Sequence, residues 1–121
     1  MKRIALFAAI FLAVLATSAN PRTFRGQIMD SQCAYNVHST TASHKEMSRI
    51  YGGLTARDCT IMCVEKNDGR YVFLDRDGKT AYKLSSDQND LKQYAGKKVE
   101  IAGEVGPKKD FINVTHIKAL E

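Results

Sequence analysis

At 121 residues, with 18 basic and 13 acidic side chains and a formal charge of +5, the chain is long enough for one domain of modest size. Its basic residues are spread along the sequence, and the densest pairs, Lys97-Lys98 and Lys108-Lys109, fall at expected strand ends. That distribution argues against nucleic acid as a partner, which calls for a concentrated basic stripe. No Gly-x-Ser-x-Gly, His-Glu-x-x-His or glycine-rich phosphate loop occurs, which leaves no hydrolase motif and favours a non-enzymatic role.

The opening "MKRIALFAAIFLAVLATSAN" has the layout of a signal peptide. Lys2 and Arg3 give a positive start, and Ile4 to Ala16 is an uncharged apolar run. Those 13 residues fall short of the roughly 20 that a membrane-spanning helix needs. Thr17-Ser18-Ala19 supplies the small residues at which cleavage is expected, so the chain divides into residues 1–19 and a single domain over 20–121. The expected product is exported, periplasmic or secreted, with no membrane anchor after cleavage. Loss of Lys2 and Arg3 leaves 16 basic residues against 13 acids, a mild +3.

A first strand is expected in "TFRGQIMD", where Phe24, Gly26 and Ile28 alternate with Arg25 and Gln27. A long polar stretch follows, within which Ser43 can cap a helix carrying Met47, Ile50 and Tyr51 on one face. Thr55 opens a second helix with Asp58 in its first turn and Gly69 at its close. "RYVFLD" and "TAYKLS" flank Asp77-Gly78, a hairpin signal. Ser86 caps a short helix ending at Gly96, and "KKVEIAGEVG" and "FINVTHIKALE" are the last two strands. The fold class is therefore mainly β with short helices. Five strands with a helix between the third and fourth give an OB-like Greek-key barrel, with a long helical insertion between strands 1 and 2.

The segments "GQIMDSQCAYNVH", "CTIMCVEKNDGRYVFLD" and "LKQYAGKKVEIAGEV" resemble a group of small exported bacterial proteins. In that group an Asp-Ser-x-Cys strand end precedes Cys-x-x-x-Cys, a Tyr-Val-Phe hairpin and an Ala-Gly-Lys-x-Val strand. The resemblance implies an OB-like barrel and brings no catalytic residues with it. Ala34 departs from the group, which has glycine after the first cysteine.

The three cysteines, Cys33, Cys59 and Cys63, all lie in the long first connection or its borders. On a helix, Cys59 and Cys63 are i and i+4, one turn apart on one face. Their parallel side chains strain a direct bridge but suit a shared metal ion. Cys33 paired with either would staple the connection, closing a loop of 26 or 30 residues worth about 3 to 4 kcal/mol in the chain-entropy model. Exported cysteines pair more often than they chelate, which puts the staple first. The alternative is one zinc or copper ion held by Cys33, His38, Cys59 and Cys63, a Cys3His set. A third reading is thiol redox chemistry with Cys59 as nucleophile, nearer the helix N-terminus that lowers a thiol pKa.

His44 reads as an exposed loop residue, and His116 as sharing the face of Ile112 and Val114. Asp30 is an Asx cap of the turn after strand 1, or an acceptor behind a ligating histidine. Tyr71, Phe73 and Tyr82 on the central hairpin are candidate ligand-binding aromatics. Taken together, the sequence points to an exported binding or structural module of the cell envelope, whose partner is an envelope ligand or protein. The cysteine-held connection is its expected ligand site, and a metal-handling role is the alternative.

Overall fold

A computed structural model of the chain describes residues 21–35, 49, 52–77 and 80–120. The expected signal peptide, His38, His44, the expected Ser43 helix and Gly78 lie outside them. Strand β1 (Arg22–Asp30) leads into a one-turn helix α1 (Ser31–Ala34). Helix α2 (Ala56–Lys66) precedes β2 (Tyr71–Asp75) and β3 (Ala81–Leu84). A short helix α3 (Gln88–Leu91) runs into a 3-10 turn (Lys92–Tyr94), followed by β4 (Lys98–Val105) and β5 (Phe111–Ala119). The strands close into a barrel in the order β1-β2-β3-β5-β4. The mainly β class and the closed five-stranded barrel are as expected. The long helical insertion lies largely outside the described residues; within them the connection between β1 and β2 carries helices of four and eleven residues and a helical Arg49. No helix among the described residues is long and apolar enough to cross a membrane.

Closure rests on β1, which serves two neighbours. Arg22 to Gln27 pair with β4 and Gly26 to Asp30 with β2, so the strand bends where the two registers overlap at Gly26 and Gln27. Ile28, Phe73, Leu91, Val99, Ile101 and Ile112 fill the barrel and are fully buried. Their side chains alternate with outward ones, the period-2 pattern of a strand with one wet face. At the β1–β2 end nearest α2 the pattern breaks, because the register partners Met29 and Val72 are buried as well. Both faces of the ribbon are covered there. Helix α2 packs on β1, with Ile61 and Val64 against the barrel core.

The termini of the short helices follow local polar chemistry. Thr55 caps α2 by accepting from the Asp58 N–H at 3.1 Å, and its hydroxyl donates back to the Asp58 carboxylate at 2.8 Å. At the other end the left-handed residue is Asp68, with φ 57, rather than Gly69. The cap of α3 is Asp87, whose carboxylate accepts from the Asn89 N–H at 2.8 Å, one residue beyond the expected Ser86. Gly96, with φ 73, lets the 3-10 turn end against the first residues of α2. A Cβ there would sit 2.5 Å from the Arg57 backbone nitrogen.

His116 corrects the sequence reading. The β4–β5 ladder pairs Ala102 with His116 but Gly103 with Val114, which leaves Thr115 as the extra residue of a bulge. The Thr115 hydroxyl donates to the Ala102 carbonyl at 2.9 Å. One inserted residue reverses the strand phase, so Ile117 packs against the core and His116 turns out to solvent.

Gln88 does the work of a strand at the start of β2. Its amide oxygen accepts from the Tyr71 N–H at 2.7 Å and its Nε2 donates to the Tyr71 carbonyl at 3.1 Å. Gln88→Ala leaves both backbone groups unpaired in a partly buried position. The expected loss is about 1–3 kcal/mol in denaturant unfolding, with an unchanged slope. A loss below a few tenths of a kcal/mol would mean that water replaces the amide.

Candidate metal centre

The site grows out of the end of β1. Asp30 is fully buried and caps α1, its Oδ2 accepting from the Cys33 N–H at 2.9 Å. That bond is the Asx cap that the spacing Asp-x-x-Cys predicts. The turn is fastened to the start of β2 twice, by Ser31 N–H to the Arg70 carbonyl at 2.8 Å and by Arg70 N–H to Ser31 Oγ at 3.0 Å. Gln32 Nε2 donates to the Asn67 carbonyl at 2.5 Å, tying α1 to the end of α2. Cys33 is thereby held over the barrel end from one side. From the other side α2 turns Cys59, Thr60 and Cys63 inward, all buried.

The two halves meet. One carboxylate oxygen of Asp30 and the sulfurs of Cys33 and Cys63 all lie within 4.8 Å of one another. Cys59 stands outside that set, buried one helical turn before Cys63 on the same helix. All three cysteines are free thiols. A tetrahedral zinc ion with Zn–S bonds of about 2.3 Å holds its sulfurs about 3.8 Å apart, so closure onto an ion needs a contraction of about 1 Å at most. Asp30 Oδ1 is buried and has no hydrogen-bond partner. A buried carboxylate of this kind is ordinarily paired or coordinated.

The electrostatics of the thiols have one sign throughout. Burial raises the Cys33 thiol far above its ordinary value, and the Asp30 carboxylate raises it further. Cys63 is pushed up to about 12, by burial first and then by Asp30 and Cys59. Cys59 is also raised, by burial first and then by Asp30. Among the described residues, no cation figures in the groups that shift them. The helix N-terminus therefore does not make Cys59 the low-pKa nucleophile that its position suggested.

This has a consequence for pH. A thiol whose folded pKa lies above its unfolded value of 9.0 favours the folded state while protonated. Its contribution is complete below pH 9 and is lost as pH rises toward about 12. The metal-free, reduced protein should thus show a lower urea midpoint at about pH 10.5 than at about pH 8, and Cys63→Ser should flatten that dependence. An equal fall in the variant would place the alkaline loss elsewhere.

Of the residues expected at the site, Cys33, Cys59 and Cys63 come together, while His38 lies outside the described residues. The oxygen ligand candidate is Asp30, three residues before Cys33. Its Asx-cap spacing was visible in the sequence, but its burial among thiols was not. The aromatic residues are a correction. Tyr71 and Phe73 are buried in the barrel core and offer no open ring face, and only Tyr82 is half-exposed. Strand β2 sits between two partners inside a closed barrel, so its inward rings pack rather than stack on a ligand. Compared with family models, curated proteins and solved structures, the chain matches none.

Proposed function

We propose that this is an exported, non-enzymatic OB-like barrel of the cell envelope whose first connection binds a single metal ion. Cys33, Cys63 and Asp30 are the core ligands, with Cys59 completing the set. The observation that carries the reading is the convergence of two thiols and a fully buried, half-unpaired carboxylate within 4.8 Å. Three soft sulfurs and one hard oxygen fit zinc better than copper(I), which prefers sulfur alone. Because the thiols are protonated when metal-free, zinc binding must release protons and tighten as pH rises.

The test is metal analysis with a variant that separates two roles of one side chain. Asp30→Asn keeps a carbonyl oxygen to accept from the Cys33 N–H, and removes the charge. Wild-type protein purified from the periplasm without chelator should carry close to one zinc per chain. Asp30→Asn should fold but bind zinc at least about tenfold more weakly, the loss that even outer partners of a metal produce. Wild-type protein free of metal after zinc dialysis would sink the proposal.

The same convergence supports the staple as a second reading. The sulfurs of Cys33 and Cys63 lie within 4.8 Å of each other, so a closer approach of these two would let them bridge in an oxidising compartment. Intact mass after alkylation distinguishes the two. One bridge and one alkylated thiol favour the staple, and three alkylatable thiols released by chelator favour zinc.

A further inference from the structure

We infer that the opposite end of the β1–β2 ribbon is a second site, a preorganised basic groove for a compact multivalent oxyanion of the phosphate or sulfate class. The cysteine cluster lies at the Asp30–Tyr71 end of the register and the groove at the Gly26–Asp75 end, so this inference does not rest on the metal reading. The last register pair at this end is Gly26 with Asp75, and the Arg76 N–H still donates to the Arg25 carbonyl at 3.0 Å, which sets Arg25 and Arg76 side by side at the end of the ribbon. Two adjoining hollows of about 410 and 300 Å³ lie here and share Arg25, Asp75 and Arg76 as walls.

Basic side chains that are scattered in sequence converge here. Arg22, Arg25, Arg76 and Lys98 line the hollows against a single acid, Asp75. Arg25 is oriented by Glu100, with its Nε 3.0 Å from the carboxylate. Arg22 is laid over the Phe24 ring at 5.2 Å from its centroid. Asp75 is engaged locally, its Oδ1 accepting from the Arg76 N–H at 2.7 Å. Among the described residues, neither Arg22 nor Arg76 forms an ion pair through its guanidinium.

Two guanidinium groups without an ion pair among the described residues, Arg22 and Arg76, beside an Arg25 oriented by Glu100, suit a small oxyanion for two reasons. The planar fork of arginine matches phosphate or sulfate oxygens bidentately. Side chains already held by Phe24 and Glu100 lose little freedom on binding. Arg22 and Arg76 carry two positive charges without such an ion pair, which a divalent oxyanion matches better than a singly charged one. Leu74 and Leu120 beside Lys98 give an apolar margin along which an uncharged part of the ligand could lie.

Titration with pyrophosphate, followed by amide chemical shifts and by calorimetry, tests the site. The expected result is saturable one-to-one binding that weakens with added salt, with shifts centred on Arg25, Gly26 and Arg76. Arg22→Ala and Arg76→Ala should each weaken it about tenfold, while Lys108→Ala, on the β4–β5 turn and outside both hollows, should not change it. Cys63→Ser should bind pyrophosphate like wild type, since the two sites are independent. Shifts spread over all basic residues, equal loss in Lys108→Ala, or attachment to dextran sulfate without saturable pyrophosphate binding would mark plain polyelectrolyte attraction and overturn the inference. The shift map of the wild-type chain decides even if an arginine variant fails to fold.

Discussion

Cys63→Ser is expected to abolish stoichiometric zinc binding while leaving the barrel folded. Cys63 is central to the cluster: its sulfur lies in the same 4.8 Å set as Asp30 and Cys33, and Cys59 is buried one turn before it on the same helix. Serine preserves the size of the side chain and the helix, so the metal-free variant should lose little packing. A hydroxyl is a far poorer ligand for zinc than a thiolate, and the remaining donors no longer surround the ion. The difference appears on adding metal. At a free zinc concentration a thousandfold above the dissociation constant, binding stabilises the native state by about 4 kcal/mol. Wild-type protein should gain that stabilisation and lose it to a chelator, whereas Cys63→Ser should melt at the same temperature with or without zinc. Cobalt substitution gives an independent check through the sulfur-to-metal charge-transfer absorption that thiolate ligands produce. Equal zinc stabilisation of both proteins would remove Cys63 from the site.

Gly26→Ala is expected to be the most damaging single-methyl change in the barrel. A Cβ at this position would lie 2.1 Å from the Leu74 carbonyl oxygen and 2.7 Å from the Phe73 ring. Neither neighbour can move freely. Leu74 belongs to the β1–β2 ladder as the partner of Gln27, and Phe73 is fully buried in the core. Gly26 is also where β1 pairs with β2 and β4 at once, so a local shift would open one ladder or the other. Overpacking against rigid neighbours costs about 3 kcal/mol or more. That is a large share of the roughly 5–15 kcal/mol that holds a domain of this size together. Equilibrium denaturation of Gly26→Ala should show either a much lower midpoint or loss of the cooperative transition. A midpoint within experimental error of wild type would mean that the strand crossing is looser than these distances imply.

Much of the barrel was legible because its signals are local. Alternation in "KKVEIAGEVG" places Val99, Ile101 and Gly103 inward, and Thr55 with Asp58 marks the start of α2. His116 was misplaced because a bulge depends on the partner strand: nothing in "FINVTHIKALE" says that β4 skips a residue opposite Thr115. Tyr71 and Phe73 were read as open rings because their alternation with Val72 tells which residues share a face, without telling that both faces of this ribbon are covered.

The sequence by itself determined the succession of strands and short helices, the Thr55 cap of α2 and the placing of three thiols around one long connection, since these follow from periodicity and side-chain chemistry within a few residues. Only the tertiary structure decided which polar groups meet. Asp30 joins the cysteines because α2 folds back over the end of β1, and Arg22, Arg25, Arg76 and Lys98 share one groove because barrel closure brings β1, β4 and the end of β2 side by side. Such juxtapositions join residues far apart in the chain, and hydrophobic burial across the barrel, rather than any local preference, fixes them.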